Sequence, residues 1–88
     1  MAAVRPSLRK PSPQIRATLA SNVRRIRTSM DLSQEELARR CGLHRTFVGS
    51  IERSERNVTL ATLEVLAGAL GTGVCALLTA PERDQGQE

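Results

Sequence analysis

The sequence predicts an all-α fold, a compact bundle of five short helices, and three observations carry that prediction. Apolar residues recur at helical spacing, as in Ile15, Leu19, Val23, Ile26 and Met30. Helix starts and stops punctuate the pattern, with Ser33 and Thr59 placed to cap N-termini and Gly42 and Gly71 placed to end helices. The apolar content is mostly Leu, Ala, Val and Ile, and Phe47 is the single aromatic, which suits closely packed helices better than a sheet. A chain of 88 residues has length for one domain with a modest core.

Taken in order, residues 1–13, "MAAVRPSLRKPSP", hold three prolines and no apolar periodicity, so they read as a flexible basic arm. Helix one follows over residues 15–29, its apolar stripe flanked by Arg16, Arg24, Arg25 and Arg27. Leu32, Ser33, Glu36 and Leu37 form a hydrophobic staple around a capping box, so helix two begins after Ser33. Gly42 ends it, because a turn at positive φ carries no steric cost for glycine. Leu43 and Val48 repeat the staple around His44, the cap of helix three. That helix spans residues 45–53, with Val48 and Ile51 inward and Arg45, Thr46, Gly49 and Ser50 outward. Val58 and Thr59 open a fourth helix with Leu60, Leu63, Leu66, Ala67 and Leu70 toward the core. A fifth, shorter helix lies in "VCALLTA", too apolar for the solvent face of a terminal helix. The domain thus covers residues 14–80, and residues 81–88 read as a disordered tail.

Charge is divided unevenly. Residues 1–56 hold 12 of the 13 basic residues against five acids, whereas residues 57–88 sum to −3. Nearly all the cations are Arg, whose planar fork suits phosphates and guanine edges, so a polyanion is one reading and a solvated basic face the other. Cys41 and Cys75, with only His44 beside them, cannot assemble four zinc ligands and are expected to be buried reduced thiols. No nucleophile, base and orienting group stand at a recognisable spacing, and no Gly-rich phosphate loop is present. Catalysis, a cofactor and a metal are therefore not expected. No stretch is apolar for long enough to span a bilayer and no signal-peptide core is evident, so a soluble cytoplasmic protein without membrane contact is expected.

Helices two and three form one unit. Ala38 is small where the two must cross, Gly42 makes the turn, and Leu37, Cys41, Leu43, Val48 and Ile51 fill the angle between them. This is a helix-turn-helix constellation, although a helical hairpin without a DNA role shares its packing.

The run "LSQEELARRCGLHRTFVGSIERSERNVTLATLEVLAGAL" makes residues 14–79 resemble the lambda-repressor and Cro-type DNA-binding domains of bacteria and phages, the XRE family. Within that family "HRTFVGSIERSERN" is most similar to the small controller proteins of restriction-modification systems, which bind operators as homodimers and switch transcription. The resemblance implies that helix three enters the major groove of double-stranded DNA and that Arg45, Thr46 and Ser50 read base edges. Arg binds guanine bidentately, and a Thr methyl suits thymine. Ser33 and Gln34 at the start of helix two match positions that sit on phosphates, where backbone amides and the helix dipole assist. His44 matches a cap or phosphate neighbour, and Arg53, Arg56 and Asn57 match a loop lying along the backbone of the same half-site. Arg27 and Glu52 match a pair that bridges helix one to the end of helix three. Gly49 lets the helix approach the groove or relieves helix crowding. Two positions depart from the family pattern: Asp31 and Ser54 stand where glycine is usual, and Ser tolerates the left-handed region less well than Asp.

The function these features point to is a sequence-specific transcriptional regulator. An antitoxin or adaptor that mainly holds a protein partner is the rival, though it would place apolar anchors where helix three carries Arg45, Thr46 and Ser50. With no second domain to bind an effector, no small-molecule effector is expected. A homodimer is expected through the fifth helix, with Val74, Leu77 and Leu78 at the interface, because one helix three reads only a few base pairs.

Overall fold

Helix boundaries follow local capping chemistry almost throughout the computed structural model, which describes residues 11–81. Five helices result: α1 (Pro13–Ser29), α2 (Gln34–Cys41), α3 (Arg45–Glu52), α4 (Leu60–Leu70) and α5 (Val74–Leu77). Ser33 Oγ accepts from the Glu36 amide at 3.0 Å while the Ser33 amide donates to Glu36 Oε1 at 2.9 Å, so the capping box that opens α2 is complete. Thr59 Oγ1 accepts from the Thr62 amide at 3.1 Å and opens α4. Gly42 at φ +70° and Gly71 at φ +69° close α2 and α4 in the left-handed region.

The start of α1 differs from the expected one. Pro13 belongs to the helix, and Ser12 is its N-cap, accepting from the Ile15 amide at 3.2 Å. A proline in the first turn loses no hydrogen bond, since that amide has no intrahelical acceptor. Residues 1–10 of the expected arm and 82–88 of the expected tail lie outside the described residues. At its other end α3 stops at Glu52, with Arg53 as C-cap.

Leu19, Val23, Leu37, Ala38, Val48, Ile51, Leu63, Leu66, Ala67, Leu70 and Leu77 form one continuous core. α2 packs on α3 and α4, while α1 spans the back of the bundle against α3, α4 and α5. Five expected burials fail. Ile15 and Met30 sit at the two ends of α1 and both are exposed; Leu60, in the first turn of α4, is 77 % exposed. Cys75 is exposed on α5 and Cys41 only half-buried, and both are free thiols.

In α5, where a dimer interface was expected, the three apolar residues differ in burial. Leu77 has no exposed surface at all and completes the monomer core, while Val74 and Leu78 pack half-buried against it. A buried Asn22 on α1 holds this short helix down. Its Nδ2 donates toward the carbonyls of Leu77 at 2.9 Å, Thr79 at 3.0 Å and Ala76 at 3.2 Å, and its Oδ1 accepts from Arg25 Nη2 at 3.0 Å. Four residues are too few for a helix to stand alone, so this side chain satisfies carbonyls that helix termini leave unpaired.

Candidate nucleic-acid interface

The angle between α2 and α3 starts with Gly42 and is fixed by side chains at both ends of α3. At the N-terminus His44 Nδ1 accepts from the Thr46 amide at 3.1 Å, as the cap reading requires, and stands 2.8 Å from Thr46 Oγ1. A ring nitrogen that accepts from an amide leaves the imidazole proton on Nε2. At the other end Arg27 grips Glu52 with two parallel hydrogen bonds, Nε to Oε2 at 2.6 Å and Nη2 to Oε1 at 2.9 Å. Arg27 Nη1 also donates to the Leu32 carbonyl at 2.7 Å, so one guanidinium ties α1, the α1–α2 turn and α3 together.

Glu52 is buried. Burial alone would raise its pKa, but the hydrogen bonds from Arg27 and Gln34 and the nearby positive charge outweigh it and hold the carboxyl below the ordinary glutamate value. The same hydrogen bond raises the Arg27 guanidinium further above its already high value. In the capping box, the Ser33 amide and hydroxyl lower the Glu36 carboxyl. Burial pushes the Cys41 thiol up, which leaves it protonated at neutral pH.

Gln34 extends this network. Its Nε2 donates to Glu52 Oε1 at 3.0 Å, which fixes the amide and turns its oxygen toward Gly49. A Cβ at Gly49 would lie 3.4 Å from that oxygen and 3.2 Å from Arg53 Nη1. A side chain at this position would thus press on the ends of the Gln34 and Arg53 side chains. Around it Ser33, Gln34, Arg45, Thr46 and Arg53 line one open cleft together with Glu35. Arg45 and Thr46 are exposed at the first turn of α3.

Ser50 does not join them. Expected to face outward, it is 7 % exposed, and its hydroxyl donates to the Phe47 carbonyl at 2.7 Å while accepting from Arg56 Nε at 2.9 Å. The loop after α3 folds back over that position, which a helical wheel cannot register. Arg56 and Asn57 consequently lie in a separate groove with Ile15, Arg16, Val58 and Leu78. The Arg56 guanidinium carbon stands 4.5 Å from the centre of the Phe47 ring. Ser54, at φ +65°, turns the loop, and Arg16 Nη1 donates to its carbonyl at 3.3 Å. Asp31 makes the matching left-handed turn before α2 at φ +59°. Arg53 pairs with Glu55 at 3.2 Å on the surface.

Sequence reasoning missed Arg16, Asn22 and Phe47. Asn22 carried a readable signal, since it stands three residues after Leu19 on the stripe that packs inward. Arg16 and Phe47 carried none, because their partners come from a loop whose path depends on the whole fold.

Comparison with known proteins places this geometry. The helix-turn-helix family pattern matches residues 23–77, more than half of the chain. The chain is 60 % identical over 65 residues to the control protein C.SmaI of Serratia marcescens, covering 74 % of this chain and 77 % of that one. Its fold matches the crystal structure of a hypothetical transcription factor from Neisseria with a TM-score of 0.77 at 38 % identity, over 100 % of this chain and 98 % of the other. The restriction-modification controller protein C.AhdI from Aeromonas hydrophila matches with a TM-score of 0.68 at 40 % identity, over 70 % of this chain and 94 % of the other. Among the described residues no helix is long and apolar enough to cross a membrane. A capped and locked third helix, with Arg45 and Thr46 exposed at its start, lies within the matched residues 23–77, and the chain belongs to the helix-turn-helix family of lambda-repressor and Cro type, the XRE family of DNA-binding transcriptional regulators.

Proposed function

We propose that the protein is the controller of a restriction-modification system, a cytoplasmic homodimer that lays α3 of each copy in the major groove of a two-fold operator. The observation that carries this reading is the exposure of Arg45 and Thr46 at the first turn of α3, on a helix held at its far end by Arg27 and Glu52. Arg45 reads a guanine and the Thr46 methyl packs on a thymine. Ser33 and Gln34 hold phosphates at the start of α2, with Arg53 beside them in the same cleft. His44 contributes its Nε2 proton, and Arg56 and Asn57 lie farther along the backbone. Ser50 leaves the group of base readers, since its hydroxyl is engaged within the protein.

The homodimer is proposed through α4 rather than through Leu77. Leu60, Ala61, Val65 and Gly68 are exposed on that helix, and Glu64 is its one charge. A helix apolar on nearly every side is covered on every side in the working assembly. The antitoxin or adaptor reading would need such anchors on α3, and they stand on α4 instead. Regulation then follows the concentration of the dimer itself, with no small-molecule effector.

A gel shift with a duplex from upstream of the protein's own gene, beside a duplex of scrambled sequence, tests the reading. Retardation of the upstream duplex at far lower protein concentration is expected. Equal retardation of the two would overturn sequence-specific control.

A further inference from the structure

The hydroxyl of Ser50 has one proton and two lone pairs, and both resources are committed. The proton goes to the Phe47 carbonyl at 2.7 Å, which aims the remaining lone-pair density away from the helix. Arg56 Nε donates into it at 2.9 Å. The guanidinium plane at the same time covers the Phe47 ring, 4.5 Å from its centre. One edge and one face of Arg56 are thus fixed by two residues of α3, although Arg56 itself belongs to the following loop. Its Nη1 and Nη2 find no partner among the described residues. Upstream in the loop, Arg16 Nη1 holds the Ser54 carbonyl at 3.3 Å, at the residue whose left-handed φ makes the chain turn back. A long side chain that is normally free to sample many rotamers is here ordered before any ligand arrives.

We propose that Ser50 and Phe47 are positioning residues for DNA binding, which hold Arg56 in the orientation that presents Nη1 and Nη2 to a backbone phosphate. This rests on the reading that the α3 face and its following loop lie against DNA. The contact is sequence-independent, so its loss weakens operator and scrambled duplexes alike. Ser50 carries no charge, so removing its hydroxyl leaves the number of phosphates neutralised unchanged and the salt dependence intact. Removing Arg56 itself lowers the slope of log K against log salt by about 1.

A double-mutant cycle on the full chain decides the matter, with affinity for the upstream and scrambled duplexes measured at several salt concentrations. Ser50→Ala is expected to weaken both complexes by about two- to tenfold, the scale set by the freedom of one long side chain, with the salt slope of the wild type. In an Arg56→Ala background the same substitution is expected to change nothing, because the side chain it orders is gone. Phe47→Leu serves as the second variant, keeps an apolar side chain against the core, and is expected to depend on Arg56 in the same way. Circular dichroism establishes that each variant is folded at the assay temperature. A Ser50→Ala variant that binds as tightly as wild type, or that loses as much affinity in the Arg56→Ala background as alone, overturns the inference. Failure of the wild type to bind either duplex would sink the reading of the face itself, a distinct result.

Discussion

On the proposed reading Arg45 contacts DNA while Glu52 supports α3, and separate measurements tell the two apart. Arg45→Ala is expected to remove about 1–3 kcal/mol of discrimination, the worth of one bidentate guanine contact, while phosphate contacts keep weak non-specific binding alive. Equal losses on operator and scrambled duplexes would refute its role as a base reader. Glu52 acts through pH. Its folded pKa lies below its unfolded value near about 4.3, so the folded state binds fewer protons and the stabilisation is present above that value. It is lost as pH falls through the folded pKa, so wild type should lose thermal stability on acidification below the unfolded value more steeply than Glu52→Gln, which has no carboxylate to protonate. Parallel pH profiles of the two proteins would show that the pair carries no linkage. The Arg27–Glu52 pair was legible because both residues matched a known pattern. Ser50 was misread because its environment is made by Arg56, six residues later, across a turn at Ser54. Spacing along one helix says which residues share a face, and it does not say which part of that face a returning loop covers.

Capping made the elements more legible than burial did. The box at Ser33 and Glu36, the Thr59 cap and the glycines at 42 and 71 all act within four residues, so sequence alone carried their positions. The start of α1 was lost because Pro13 reads equally as the end of an arm or the first turn of a helix. The anchoring of α5 was lost because it depends on Asn22, more than fifty residues away in sequence. Asn22→Ala strands the Leu77 and Thr79 carbonyls, which accept from no other donor in the described hydrogen bonds, and should cost about 1–3 kcal/mol. In a domain of this size each kcal/mol lowers Tm by about 4–8 °C, so a thermal melt resolves it readily. An unchanged melt would mean that water replaces the amide and that α5 needs no latch. Ser54 supplies the opposite test. Its left-handed conformation carries a cost of about 1–2 kcal/mol for a residue with a Cβ, so Ser54→Gly should raise Tm despite the greater freedom of glycine in the unfolded chain. Asp31→Gly should gain less, since Asp bonds locally in that region.

Cations concentrate in the first two-thirds of the sequence, whereas exposed apolar residues gather on α4. Residues 57–81, which hold α4 and α5, carry a single charge, Glu64, so the surface proposed to meet a second copy offers nothing to attract DNA. Charge separation of this kind lets one subunit bind a polyanion through one face and its twin through another without competition. The proposed surface on α4 was not legible in advance, because composition does not distinguish apolar residues that fill a core from those left exposed. Leu77 fills the monomer core, whereas Leu60 and Val65 on the preceding helix are left for solvent or for a partner. A two-fold interface repeats each residue on both sides, so one substitution acts twice. Val65→Glu, at a position already 43 % exposed, should leave the monomer folded while placing two carboxylates in the shared apolar surface. Sedimentation should find the wild type dimeric at micromolar concentration and the variant monomeric, with operator binding much weakened because half-sites about 34 Å apart are no longer held by one particle. Leu77→Arg should behave differently and unfold, since no route to solvent exists for its charge. A Val65→Glu protein that remains dimeric would move the interface off α4, and a wild type that stays monomeric at that concentration would remove the preformed dimer altogether.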